Sequence, residues 1–255
     1  CYLSAIICAH ARDSRFYIND WMQPPFSVEV VSKGNAPTRR LDDREPNTSK
    51  EKDIIDEASK IVQEEPVFAL LLIDENDKIL FEKYDGGASA TTVLKGNSMT
   101  KSAVSVAVGQ AVCSGIIKSL DDKAEAYSKD LAGTAYGDAT IRQLLTMASS
   151  GTRAANAGMP INGMARELVT GGNRTVRNSL REFGINHQNR STQGSFSYKG
   201  MDTNALSIAI ADSVKQKFQA YFSSAVWQKI GAEKNAIIQI DRNKDAAANS
   251  GMGAT

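Results

Sequence analysis

Between Asp53 and Glu64 the apolar positions Ile54, Ile55, Ala58, Ile61 and Val62 recur at helical spacing, with charges on the opposite face, which predicts an amphipathic helix. Val67–Ile73 is a short apolar run and Lys78–Tyr84 a more alternating one. The Asp74-Glu75-Asn76-Asp77 segment between them favours a turn, so the pair predicts a β-hairpin. After a connection rich in Gly, Ala and Thr, the stretch Ser98–Ile117 is apolar on almost every side, with Met99, Val104, Val106, Val108, Val112 and Ile116 among its residues; such a helix is expected to be buried. From Leu120 to about Phe183 the pattern is helical and loop-like, including Thr140–Met147 and Gly163–Val169. Asp202–Ala220 and Tyr221–Ile230 predict further helices, and Ala236–Asp241 a strand.

Ahead of residue 53 the pattern thins. Residues 12–52 hold Trp21, Pro24-Pro25 and a polar stretch from Gly34 to Pro46, and they read as an extended lead-in. Residues 1–11, Cys1 to Ala11, are mostly apolar and end in Ala9-His10-Ala11, the pattern of a signal-peptide remnant, which sets the expected location as periplasmic or secreted. The alternative, Cys1 as the lipidated start of a mature lipoprotein, fits less well because the residues after it are apolar. The expected organisation is thus a leader remnant at 1–11, a lead-in at 12–52 and one domain at 53–255, with a helical lobe over about 120–205. Cys113, in the apolar helix, is expected to pack in the core.

Composition narrows the function classes. The chain has 255 residues, 42% of them hydrophobic, enough for one large domain or two small ones. Its 30 Lys and Arg against 29 Asp and Glu leave a formal charge of +1, so no global field draws it to nucleic acid or anionic lipid. No apolar run approaches the roughly 20 residues of a membrane-spanning helix. There is no Cys/His cluster with zinc spacing, so no metal is expected. The histidines, His10 and His187, fall in the leader remnant and a polar loop, which argues against a Ser-His-Asp triad.

The sharpest chemical signal is Gly96-Asn97-Ser98-Met99-Thr100-Lys101-Ser102. Spacing of three puts Ser98 and Lys101 on one helical face, their Cβ atoms roughly 5–6 Å apart. A serine hydroxyl is a weak nucleophile until a base takes its proton, and a neighbouring amine can do so. The free N–H groups at a helix start favour the negative charge of an acyl-transfer intermediate. The spacing alone decides nothing, because Ser49-Lys50-Glu51-Lys52 repeats it in a charged segment. Burying an unpaired ammonium costs several kcal/mol, which asks for a reason at Lys101. The segment by itself equally allows Ser98 as an N-cap and Lys101 snorkelling to solvent.

Asn97–Ser102 resembles the Ser-x-x-Lys nucleophile motif of class C β-lactamases, D-alanyl-D-alanine peptidases and related esterases. Other segments follow in that family's order: the hairpin ending Phe81-Glu82-Lys83-Tyr84, then Gly115–Asp122, then Ile141–Gly151. Gly194–Leu206 is similar to the family's second motif, Tyr-x-Asn. The resemblance implies that Tyr198 shuttles protons beside the lysine. Gly200 falls at the substrate-binding position where the family carries Asn, or Ser in its esterase branch, so a side chain that would bond substrate or lysine is missing. The Leu144–Gly151 and Phe196–Thr203 segments look closest to the 6-aminohexanoate-dimer hydrolase and esterase branch.

The resemblance spans about Val67–Thr255 and implies an α/β fold, an α/β/α sandwich with an antiparallel sheet and an inserted helical lobe. It implies that Ser98 attacks an ester, amide or β-lactam carbonyl of a small molecule while Lys101 and Tyr198 manage its proton, with no cofactor needed. The family's third motif, Lys-Thr-Gly or His-x-Gly, does not appear, and the sequence ends at Ser250–Thr255 where the family continues into its closing strands. The expectation is therefore a fragment at both ends, poorly folded or inactive alone, because losing one oxyanion donor costs about 10²–10³ in rate. Two rival functions accompany this expectation: a β-lactamase or D-alanyl-D-alanine peptidase acting on cell-wall peptides, and a non-catalytic binding protein with the same fold.

Overall fold

Thr48 caps the first helix, α1 (Ser49–Glu64), by a capping box: its hydroxyl accepts the Glu51 N–H at 3.1 Å, and the Glu51 carboxylate accepts the Thr48 N–H at 3.3 Å. The helix therefore starts one turn before the apolar spacing predicts, and Ser49-Lys50-Glu51-Lys52 is its charged first turn. The computed structural model in which this is seen describes residues 7–10, 27–35, 37–38, 40–65, 67–152, 174–185 and 192–255. The predicted helix at Gly163–Val169 and His187 lie outside the described residues.

Ala58 and Val62 of α1 pack on Val67, Leu70 and Leu72 of β3 (Val67–Ile73) in a small apolar core. β3 pairs antiparallel with β4 (Ile79–Tyr84), as the alternation predicts. Asp74 makes the turn between them, its carboxylate accepting the N–H groups of Asn76 and Lys78, each at 2.8 Å. The other edge of β3 pairs with β1 (Ile7–His10), inside the stretch that reads as a leader remnant, giving a three-stranded sheet in the order β1-β3-β4. Arg44 bonds Glu51 and Asp74, at 2.6 Å each, and fastens the lead-in to both helix and turn. It holds both carboxyls well below their usual range, at about 2, with help from backbone N–H donors.

A second antiparallel sheet runs in the order β2 (Val28–Val31), β6 (Ala236–Gln239), β7 (Met252–Ala254), β5 (Leu94–Lys95). The antiparallel sheet expected from the sequence is thus present as two sheets, and β2 lies inside the predicted lead-in. Around the second sheet stand α2 (Thr100–Cys113), α3 (Ala135–Asp138), α4 (Ile141–Leu145), α5 (Val176–Ile185), α6 (Gly200–Val214) and α7 (Phe218–Phe222), the last continuing into a π-helical turn over Ser223–Trp227. Helix α6 is buried without a break from Met201 to Ala211, and small residues such as Ala205, Ser207 and Ala209 let its neighbours come close. It ends where Lys215 turns left-handed at φ 55°, which breaks the single helix predicted over 202–220.

Helix α2 corrects two expectations. Val104, Ala107, Val108 and Ala111 form the stripe that enters the core, but Val106 stands 51% exposed, so the helix is buried on one side rather than all round. Cys113, in its last turn, is exposed rather than core. Apolar sequence on every face states what a helix could bury; the neighbours decide how much it does.

Candidate active site

The chain approaches Ser98 along the edge of the second sheet. Gly96 donates its N–H to the Met252 carbonyl at 2.8 Å, and Met252 donates its own to the Thr100 hydroxyl at 3.1 Å, so β7 grips the turn on both sides of the serine. A Cβ on Gly96 would lie 3.0 Å from the Met252 oxygen, which makes glycine the fitting residue for this approach. Asn97 then takes φ 43°, a conformation asparagine tolerates better than most residues, and Asn97–Met99 form a 3₁₀ turn that runs into α2. Ser98 is exposed at the N-terminal end of this helical run.

One turn on, the Lys101 ammonium donates to the Ser98 Oγ at 3.0 Å and to the Asn249 main-chain carbonyl at 2.5 Å. It also lies 5.0 Å from the centre of the Tyr198 ring, within reach of the ring's negative face. Burial pushes the Tyr198 phenol up, but its hydrogen bonds with Ser98 and Lys101, together with the Lys101 charge, outweigh that and hold it below the ordinary phenol value. A serine hydroxyl, an ammonium bonded to it and a phenol ring beside that ammonium thus form one cluster. Lys101 is fixed by bonds to Ser98 and Asn249, which disposes of the picture in which it snorkels to solvent.

The segment carrying Tyr198 is anchored from behind. Gly194 and Ser197 donate their N–H groups to the carbonyls of Ala148 (2.8 Å) and Met147 (2.9 Å). Lys199, buried, donates to the Ser149 carbonyl. Asp202, also buried, accepts the Ser149 hydroxyl at 2.7 Å and its N–H at 3.3 Å. Burial raises the Asp202 carboxyl to about 6 against the opposing pull of the Ser149 bonds and the Lys199 charge.

A sequence profile described as Beta-lactamase matches residues 61–251. This chain belongs to the β-lactamase family. Among solved structures, a protein assigned as a 6-aminohexanoate-dimer hydrolase from Bacillus anthracis superposes with a TM-score of 0.68 at 20% identity, over 90% of this chain and 63% of its own. A β-lactamase/D-alanine carboxypeptidase from Pseudomonas syringae gives 0.60 at 15% identity, over 81% and 62%. A hydrolase with promiscuous acyltransferase activity gives 0.59 at 13%, over 80% and 68%. These are likenesses of fold, the β-lactamase/transpeptidase fold of a family of serine hydrolases, and the chain spans about six-tenths of the first two relatives' length. No curated protein matches it by sequence.

Of the residues singled out from this family's motifs, Ser98, Lys101 and Tyr198 come together. Gly200 opens α6, two positions after Tyr198, and the room a side chain would need there is taken: a Cβ would fall 2.9 Å from the Asn249 Nδ2 and 3.1 Å from its Cβ. Sequence reasoning missed Asn249, whose backbone holds Lys101 and whose own N–H is received by the buried Asn204 side chain at 2.9 Å. A main-chain carbonyl has no sequence signature, so nothing at position 249 could have pointed to it. Also unforeseen were Lys199 and Asp202, charged residues beside the motif that turn inward. A cavity of about 770 Å³ beside Arg177, Asp212 and Lys217 shares no residue with the Ser98 cluster, and Arg177 there is occupied by Asp130, Asp212 and Asp245. Among the described residues no group of three His, Cys, Asp or Glu could hold a metal, and no helix is long and apolar enough to cross a membrane.

Proposed function

We propose that Ser98 is the nucleophile of a serine hydrolase that works through an acyl-enzyme on ester, amide or β-lactam carbonyls, with small esters as its best substrates. The observation that carries this is the Lys101 ammonium at 3.0 Å from the Ser98 hydroxyl and 5.0 Å from the centre of the Tyr198 ring. Ser98 Oγ forms a bond to the carbonyl carbon as its proton passes to Tyr198, which reacts as the phenolate that the neighbouring Lys101 ammonium favours. The oxyanion that results lies at the N-terminal end of the helical run, where the Ser98 N–H and the helix dipole favour negative charge. Tyr198 returns the proton to the leaving oxygen as the bond to it breaks. Water then repeats the sequence on the acyl-serine, and serine is regenerated. Preference for esters rests on Gly200, which offers no side chain to an amide, and on an alcohol's being the easier leaving group.

The test is covalent labelling of the full-length protein with a fluorophosphonate, together with turnover of p-nitrophenyl acetate and nitrocefin. The expected outcome is labelling at Ser98, faster relative turnover of the acetate, and loss of both on Ser98→Ala. Lys101→Met and Tyr198→Phe should each lower acetate turnover by about 10²–10⁴. An unlabelled wild-type protein, or labelling that survives Ser98→Ala, would overturn the assignment and favour a binding protein on the same fold.

A further inference from the structure

Among the described residues seven large apolar side chains stand exposed, and three of them, Met99, Phe196 and Tyr198, are next to Ser98 or on the segment that carries the phenol. Phe196 is the most open of the seven, at 73%. Single exposed apolar residues are ordinary on a protein surface, and Phe196 is set apart from the others by lying two residues from Tyr198.

The placing of Phe196 is not that of a loose loop residue. Exposure alternates along the segment: Phe196 open, Ser197 half-buried, Tyr198 half open, Lys199 buried and in an extended conformation at φ −136°, ψ 115°. Phe196 and Tyr198 are thus both on the open side of the segment, two residues apart. The bonds from Gly194 to Ala148 and from Ser197 to Met147 bracket Phe196 and hold it in place. In the reaction proposed above, the leaving oxygen must come within hydrogen-bond reach of the phenol that protonates it. The substituent on that oxygen then runs out over the face that Phe196 shares.

We propose that Phe196 is a specificity-determining residue that receives an apolar substituent of the leaving group, so that the preferred substrates are esters of alcohols carrying an aromatic or alkyl end a few bonds from the scissile oxygen. This rests on Ser98, Lys101 and Tyr198 being the reacting cluster. Acylation forms the Ser98 Oγ–carbonyl bond and breaks the bond to the leaving alcohol, whose oxygen takes the Tyr198 proton. Esters with a common acyl group share the deacylation step, so Phe196 acts on kcat/KM.

Ethyl acetate and 3-phenylpropyl acetate release alcohols of similar acidity and differ in reach, and their hydrolysis by the full-length protein is followed by pH-stat. The wild type should favour the phenylpropyl ester by about tenfold in kcat/KM, the scale of burying part of one aromatic group. Phe196→Ala should lower kcat/KM for the phenylpropyl ester about tenfold more than for ethyl acetate, and Phe196→Leu should keep part of the preference. Equal loss on both esters, an unchanged preference in Phe196→Ala, or a wild type that hydrolyses both without preference would overturn the inference and leave the Ser98 assignment standing. Failure to hydrolyse either ester, with no fluorophosphonate label on Ser98, would overturn both.

Discussion

Lys101 is held by a carbonyl that belongs to Asn249, and Asn249 keeps its place because residue 200 has no side chain. Adding one methyl there, as Gly200→Ala, pushes on the Asn249 side chain and through it on the carbonyl, and misplacing a catalytic group by a fraction of an ångström is felt in rate. Ester hydrolysis should fall about tenfold in Gly200→Ala and recover most of that loss in Gly200→Ala/Asn249→Gly, which relieves the contact and retains the main-chain carbonyl. Measuring the cycle separates this coupling from an effect on the start of α6, which the second substitution would not repair. At this scale the spacing of Ser98 and Lys101 and the position of Tyr198 were legible in the sequence, because side-chain chemistry was at stake. The acceptor of the lysine was not, since any residue but a misplaced one supplies a carbonyl.

The segment 194–199 and the start of α6 act as one unit, pinned to residues 147–149 through the Gly194 and Ser197 N–H groups, Lys199 and Asp202. Asp202 gives that unit a pH signature. Its folded pKa of about 6 lies above the unfolded value of 3.8, so the folded state binds the proton more tightly. The associated stability is fully present below about pH 4 and is lost as pH rises to about 6, by at most about 3 kcal/mol. Denaturant unfolding followed from pH 4 to pH 7 should show this decline, and Asp202→Asn should flatten it; an identical pH profile in the variant would rule out Asp202 as the source. Glu51 and Asp74, held at about 2 by Arg44, act in the opposite sense, and what they contribute is lost only as pH falls below about 4 toward 2. The hairpin and the buried stripe of α2 could be read from local pattern. The early start of α1 depends on its capping box, and β1 and β2 are four-residue strands whose existence depends on partners distant in sequence.

Among the described residues the apolar side chains gather mainly into two centres of unequal size, with a minor third at Ile237. The small one, Ala58, Val62, Val67, Leu70 and Leu72, holds α1 to the three-stranded sheet, while the large one gathers α2, α5, α6, α7 and the second sheet. Local stability follows the apolar contacts an element makes, so amides of α1, β3 and β4 should exchange with solvent well before those of α2 and α6. Leu70→Ala should accelerate exchange in the first set, at a cost of about 2–5 kcal/mol to that layer, and leave the rate of Ser98 labelling within about twofold; uniform acceleration across both layers would show a single cooperative unit instead. The division was not visible in the sequence, where apolar runs carry no mark of which core they join.

The grip of β7 on the serine turn has a consequence for timing. Lys101 and the carbonyl that holds it are 148 positions apart, and Thr100 and Met252 are 152 apart. The hydrogen bonds within helix α2 are local in sequence, whereas these closures wait on contacts that are slow to find. The acceptor of Lys101 is therefore in place only once the two ends of this stretch of chain have met. On the proposed mechanism, activation of Ser98 depends on that docking, so a chain that has not completed its fold carries a serine without its activating lysine in place.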